Sequence, residues 1–283
     1  MNNLTDIKNI KSILNQFDFN FSKKLGQNFL IDPSVCPKMA EAAVVSDNTG
    51  VIEIGPGIGV LTKELALYAK KIIAVELDSA LLPVLNKTLS DFDNIKIIHD
   101  DILKIDLTEL IKSNFDSNMD IVICANLPYY ITSPIIMKLL ESKIKFNNLT
   151  LMVQKEAAVR LCASPGTRDC GAISIAVNYY TSPEILFLVS RNSFIPSPKV
   201  DSAVIKLNLK DSLPLMPEDE TKFFKIVKAS FSQRRKNLSN SLSSGLSIPK
   251  NNAIILLNSA KIDINKRAEQ LSFDDFLNLA RIF

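Results

Sequence analysis

From residue 50 the chain alternates short apolar runs with segments whose apolar residues recur every three or four positions. VIEI (51–54), KIIAVEL (71–77), IKIIH (95–99), MDIVICA (119–125) and LTLMVQ (149–154) read as buried strands. Helix-like segments of about a dozen residues separate several of them. This alternation predicts parallel βαβ units, and so a doubly wound α/β sheet with helices on both faces. Upstream, Ile7, Ile10, Leu14 and Phe17 recur at helical spacing and predict a short amphipathic helix. The stretch 21–33 is irregular.

After residue 170 the pattern changes. AISIAVNYY (172–180), EILFLV (184–189) and SAVIKLNL (202–209) look β-like. In the last, Ala203, Ile205, Leu207 and Leu209 alternate with polar positions, as expected of a late antiparallel strand finishing the sheet. The Pro-containing break KDSLPLMPEDE (210–220) is the predicted domain boundary. It gives a catalytic domain over 1–209 and a small all-helical domain over 210–283. In the latter, Phe223, Phe224, Val227, Phe231 and Leu238 predict one helix, and NNAIILLNSA and FDDFLNLARIF two more.

Composition narrows the function classes. With 47% apolar residues in 283, a large core is available. No apolar run reaches the roughly 18–20 residues of a membrane span, so no membrane association is expected. The N-terminus lacks the features of a signal peptide. Four scattered cysteines without a CxxC pair, and a single histidine, His99, argue against a metal site and for a reducing, cytoplasmic setting. Residues 207–283 hold 12 Lys/Arg against 8 Asp/Glu, whereas 1–206 hold 21 against 22. A basic C-terminal quarter suggests a polyanionic partner such as nucleic acid.

The candidate chemistry lies at strand ends. Three of the eight glycines fall in EIGPGIG (53–59), after a strand and before a helix. The spacing E-x-G-x-G-x-G is not the dinucleotide pattern G-x-G-x-x-G, because position 60 is Val60 and position 62 is Thr62. A different nucleoside ligand is expected, with a bare structural turn or a dinucleotide as alternatives. Glu76 follows at the next strand end, where a carboxylate accepts from ribose hydroxyls. Asp100 and Asp101 follow the third strand, where a carboxylate can accept from an adenine amine. The fourth strand runs into ANLPYYI (125–131).

E-x-G-x-G-x-G, Glu76, Asp101 and N-L-P-Y, in that order, resemble an S-adenosylmethionine-dependent methyltransferase acting on an exocyclic amine. More specifically, the chain resembles the rRNA adenine N6-dimethyltransferases of the KsgA/Dim type. The resemblance runs from residue 23 to 283. It rests on KKLGQNFL (23–30), EIGPGIG, ANLPYYI, LMVQKEAAVRL (151–161), PGTRDCGAISI (165–175), FIPSPKVDSAV (194–204), FSQRRKNL (231–238) and RAEQLSFDDF (267–276). The last two favour the small-subunit enzyme over the related resistance dimethylases. Cys170 departs from the family, which usually has an aromatic there. The resemblance implies a Rossmann-like methyltransferase sheet, mostly parallel, and S-adenosylmethionine as cofactor. Asn28 and Leu30 would belong to a segment folding over the cofactor. Gly55, with Gly57 in the same turn, would face its methionine part, Glu76 its ribose and Asp101 its adenine. Asn126 would meet cofactor and target base.

Adenine N6 is a poor nucleophile because its lone pair is delocalised into the ring. Acceptors on the amine hydrogens can redirect that lone pair. The Asn126 side-chain oxygen and the Leu127 carbonyl are the candidates, the latter held by Pro128. Tyr129 can stack on the purine, contributing about 1–3 kcal/mol, and Phe194 can cover the opposite face. Tyr130 reads as packing. The target base must be unstacked, at a cost of a few kcal/mol, so phosphate contacts are needed elsewhere. Lys222, Lys225, Lys228, Arg234, Arg235 and Lys236 form a run free of acids, with Lys23 and Lys24 as a second contact. The expected activity is N6,N6-dimethylation of two adjacent adenines in a 3′-terminal hairpin of small-subunit (16S) rRNA. The expected partner is an immature 30S particle, and the protein is expected to be a monomer. A large-subunit resistance dimethylase, a DNA adenine methylase, a non-catalytic assembly factor and an oxidoreductase remain as alternatives.

Overall fold

The computed structural model describes residues 3–19, 26–233 and 235–283. Helix α1 (Ile7–Gln16) is capped by Asp6, whose side chain accepts from Asn9 N, and buries Ile10, Ile13 and Leu14. A short strand β1 (Phe29–Leu30) and helix α2 (Val35–Ala43) follow. Then come the repeating units: β2 (Thr49–Ile54), α3 (Val60–Ala66), β3 (Lys71–Glu76), α4 (Leu82–Thr88), β4 (Ile95–His99), α5 (Leu107–Asn114), β5 (Asp120–Asn126), α6 (Thr132–Glu141), β6 (Asn148–Gln154) and α7 (Lys155–Leu161). The remaining elements are α8 (Ala172–Tyr180), β7 (Thr181–Val189), β8 (Phe194–Ile195), β9 (Ser202–Leu209), α9 (Pro217–Ser230), α10 (Leu238–Leu246), α11 (Lys250–Ser259) and α12 (Phe273–Ile282).

Seven strands form one sheet in the order β4-β3-β2-β5-β6-β9-β7. The first five are parallel, and β9 pairs antiparallel with β6, Leu151 opposite Ile205. The mostly parallel sheet and its late antiparallel strand are therefore as expected. β2 lies between β3 and β5, so the chain winds outward in one direction and then returns to the other side of β2. That reversal opens a crevice at the carboxyl ends of β2 and β5, the usual ligand position in such sheets. The central strands are buried on both faces, with Val51, Ile52, Ile72, Val122 and Leu149 all at 0% exposure. This is why they read as unbroken apolar runs.

Contacts divide the chain into two compact units, 1–158 with 184–209, and 159–183 with 210–283. Residues 159–183 were expected in the first domain but group with the second. The expected strand at 172–180 is also corrected: it is α8. Gly171 N donates to Ser174 Oγ (2.9 Å), and Ser174 Oγ donates to the Arg160 carbonyl (2.6 Å). These bonds start the helix, and its apolar residues are buried nearly all round, so no amphipathic period marks it. Tyr179 and Tyr180 meet Phe223 and Phe224 of α9, with ring centroids 4.9 and 5.6 Å apart for Tyr179–Phe223 and Tyr180–Phe224. That packing ties 159–183 to the helical unit.

The single helix expected through Leu238 is instead two. α9 ends at Ser230, and Asn237 caps α10 by accepting from Asn240 N (3.3 Å). The basic tract therefore divides. Lys222, Lys225 and Lys228 are exposed on α9, whereas Arg235 and Lys236 are exposed in the turn between α9 and α10. Arg234, Lys23 and Lys24 lie outside the described residues.

Candidate active site

The glycine turn is built for close approach. Gly55, Gly57 and Gly59 have φ of +67°, +61° and +89°, a region that a side chain strains. Their roles differ. A Cβ on Gly59 would lie 2.9 Å from Leu89 Cδ2, so this glycine serves packing. A Cβ on Gly55 would meet nothing within 4 Å, because it would project into open space. Gly55 N donates to the Val75 carbonyl (2.9 Å), fastening the turn to β3.

Glu76 ends β3 and is only 6% exposed. Its two oxygens accept from Gly57 N (3.3 Å) and Asp78 N (2.8 Å). Burial raises its pKa, and these two backbone bonds pull it back. Asp78 in turn accepts from Gln27 Nε2 (2.7 Å), linking the loop after β3 to the segment before β1. Asp101 accepts from Leu103 N (2.9 Å) and pairs with Lys104 at 3.6 Å.

The turn after β5 is different. Leu127 N donates to the Met152 carbonyl (3.1 Å), which continues the ladder one residue past Asn126. Pro128, at φ −58° and ψ 130°, then redirects the chain into a single 3₁₀ turn, Tyr129–Ile131. Among the described residues, neither the Asn126 amide nor the Leu127 carbonyl has a hydrogen-bond partner. Tyr129 is half-buried and its hydroxyl shares a 2.8 Å hydrogen bond with Ser202 Oγ of β9. Burial raises the phenol pKa, and the bond to Ser202 lowers it.

One cleft joins these parts. Gly55, Gly57, Glu76 and Asp101 line it from β2, β3 and the end of β4. Asn126, Leu127, Pro128 and Tyr129 line it from the end of β5. Asn28, Leu30 and Phe194 line it from the β1–β8 ribbon, in which Leu30 pairs with Phe194. At 3% exposure and packed in the core with Leu30, Phe194 forms wall more than open stacking face. Among the described residues that line this cleft there is no lysine or arginine.

Sequence reasoning missed several lining residues. Glu53 was read only as a letter of the glycine motif, and its place at the start of that motif was the available signal. Tyr130, read as packing, is 55% exposed in the cleft, and a Cβ on Gly26 would lie 3.6 Å from its ring. Ile102 directly follows Asp101 and is buried against the cleft. Cys36 and Met39 reach it from α2, which nothing in the sequence pattern connected to the site.

The residues present suit S-adenosylmethionine. The open space at Gly55 is a cradle that a Cβ would fill, Glu76 offers buried carboxylate oxygens, and the lining is largely apolar. Among the described residues no three His, Cys, Asp or Glu side chains cluster as metal ligands, and no helix is long and apolar enough to cross a membrane.

Residues 18–283 match the family model "Ribosomal RNA adenine dimethylase". The chain is 46% identical over 275 residues to a ribosomal RNA small subunit methyltransferase A of Bacillus pumilus (strain SAFR-032), covering 96% of this chain and 94% of that protein. A solved dimethyladenosine transferase from Plasmodium falciparum superposes with a TM-score of 0.74 at 29% identity, covering 89% of this chain and 95% of that one. The 23S rRNA methyltransferase ErmE superposes with a TM-score of 0.70 at 25% identity, covering 90% and 98%.

Proposed function

The chain belongs to the ribosomal RNA adenine dimethylase family, and from that premise we propose that it uses S-adenosylmethionine to dimethylate N6 of two adjacent adenines in a 3′-terminal hairpin of 16S rRNA. The substrate is an immature 30S particle, and the protein acts as a cytoplasmic monomer. The observation that carries the chemistry is a pair of acceptors lining the cleft, the Asn126 amide oxygen and the Leu127 carbonyl, that no described residue satisfies.

When bound, S-adenosylmethionine supplies a methyl group on a positively charged sulfur. Glu76 holds ribose hydroxyls, Asp101 accepts from the adenine amine, and the Gly55 backbone passes close to the methionine part. Asn28 and Leu30 close the cleft from the β1 side. Asn126 Oδ1 and the Leu127 oxygen accept the two hydrogens of the target amine and turn its lone pair out of conjugation. Pro128 holds the Leu127 carbonyl in place, Tyr129 stacks on the purine, and Phe194 bounds the opposite wall. No strong base is needed before attack, because the amine is neutral and loses its proton afterwards. Alignment of this kind supplies up to about 7–11 kcal/mol in favourable cases. Lys222, Arg235 and Lys236, with Arg234, Lys23 and Lys24, contact RNA phosphates, which makes binding steeply dependent on salt. Residues 1–158 with 184–209 carry the reaction, and 159–183 with 210–283 the docking.

Full-length protein is incubated with labelled S-adenosylmethionine and either undermethylated small subunits or large subunits, and the RNA is digested to nucleosides. Dimethyladenosine from small subunits alone is the expected result. Label in large-subunit RNA would transfer the reading to the activity named for ErmE. No label in either, beside an active control enzyme, would leave an assembly role without chemistry.

A further inference from the structure

Among the described residues four aromatic side chains line the cleft, and three of them are committed to the fold. Phe29 and Phe194 are 6% and 3% exposed, and the Tyr129 hydroxyl is held by Ser202. Tyr130 is the exception. Its side chain is more than half exposed. Among the described residues its hydroxyl has no hydrogen-bond partner and its ring stacks on no other ring. Gly26 lies along one edge of that ring, near Cδ1 and Cε1, and brings no side chain to cover it. A lone exposed aromatic is ordinary on a protein surface. This one sits in the turn that carries the acceptors for the target amine.

The 3₁₀ turn Tyr129–Ile131 separates the two tyrosines. Successive residues of such a turn point about 120° apart. Tyr129 and Tyr130 therefore present their rings to different places, one tied to β9 and the other at the cleft mouth. An RNA strand whose target base has been drawn in against Asn126 runs out through that mouth. The next base along has lost the neighbour on which it was stacked. An open aromatic face replaces that lost stack, and does so for any base, because every base has a π-face.

We propose that Tyr130 is the stacking platform for the nucleobase next to the target adenine. This deepens the proposed reaction and rests on it. The two target adenines are adjacent, so each is the other's neighbour. With one of them against Asn126, the strand has a fixed direction, and the platform receives the neighbour on one side only, 5′ or 3′. For one of the two adenines that neighbour is the other adenine. For the second it is a base outside the pair.

Initial rates of methyl transfer by the full chain to undermethylated small subunits, at saturating S-adenosylmethionine, read the platform. Tyr130→Ala and Tyr130→Leu should each lower kcat/KM for the particle about tenfold. Cofactor affinity by calorimetry and thermal unfolding should stay close to those of the unsubstituted protein. Tyr130→Phe should keep the activity, because the ring and not the hydroxyl makes the stack. Particles reconstituted with an abasic nucleotide in place of one adenine or the other complete a double-mutant cycle. In one of these two RNAs the missing base should itself cost about tenfold, and Tyr130→Ala should then cost nothing more. Additive losses in both RNAs overturn the proposal and leave Tyr130 a packing residue. A loss in Tyr130→Ala matched by an equal loss of cofactor affinity also overturns it and makes the ring a cover for the cofactor. Full activity in Tyr130→Ala overturns it outright. All three leave the proposed reaction standing, whereas failure of the unsubstituted protein to yield dimethyladenosine removes the reaction and the platform together.

Discussion

The two sides of the cleft are made differently. On the β2–β3 side the polar groups are mostly spent on each other: Gly55 N on the Val75 carbonyl, and Glu76 on Gly57 N and Asp78 N. On the β5 side, the Asn126 side-chain amide and the Leu127 carbonyl have no partner among the described residues. The first side is a preformed receptacle whose shape is fixed before any ligand arrives. The second is a pair of acceptors positioned by a strand end and a proline, which none of the described residues satisfies. A ligand bound tightly and repeatedly suits the first, and a base that visits and leaves suits the second.

The largest expected effect breaks the rule on the preformed side, where the buried Glu53 Oε2 has no hydrogen-bond partner among the described residues. Its folded pKa, about 8, exceeds its unfolded value near 4.5. Between these values the native state holds more protons than the unfolded state, so stability falls as pH rises through that window. Glu53→Gln should remove this decline and stabilise the free protein above pH 8 by up to roughly 4 kcal/mol, read by urea unfolding at several pH values. Next is Asn126→Ala on the open side. It should lower kcat about 100-fold, the order expected for lost alignment, with particle binding unchanged in a filter assay.

The two glycines sharpen the contrast within the receptacle. Gly59→Ala should cost about 1–3 kcal/mol of stability, since the new Cβ both strains the backbone and meets Leu89. Gly55→Ala should cost less in thermal unfolding, because its Cβ enters open space, yet weaken cofactor binding more. The smallest effect is at Ser202, which is fully buried and holds the Tyr129 hydroxyl. Ser202→Ala and Tyr129→Phe should each reduce kcat a few-fold, and the double variant should be no worse than either, since both remove one bond of about 1 kcal/mol.

Much of this arrangement was legible in the residues. Strand β9 begins and ends where the alternation of Ala203, Ile205 and Leu207 placed it, and the E-x-G-x-G-x-G turn does follow a strand and open a helix. Periodicity failed where burial is complete: α8 is apolar nearly all round, so its helix could not be told from a strand. The break after α9 was hidden because Phe231 and Leu238 keep a helical spacing across a turn that Asn237 ends by capping α10. Glu53 escaped notice because its significance is the absence of a partner, which only three-dimensional neighbours reveal. Cys36 and Met39 reach the cleft from a helix far from any motif.

The central claim is that one cleft receives the methyl donor on its saturated side and the target amine on its unsaturated side. A crystal structure with S-adenosylhomocysteine tests it most directly. The account predicts ribose hydroxyls on Glu76, the sulfur beside the Gly55 backbone, and the Asn126 amide and Leu127 carbonyl still open toward the space next to that sulfur. A ligand seated away from Asn126, or an Asn126 amide turned into a bond with the protein itself, would contradict it.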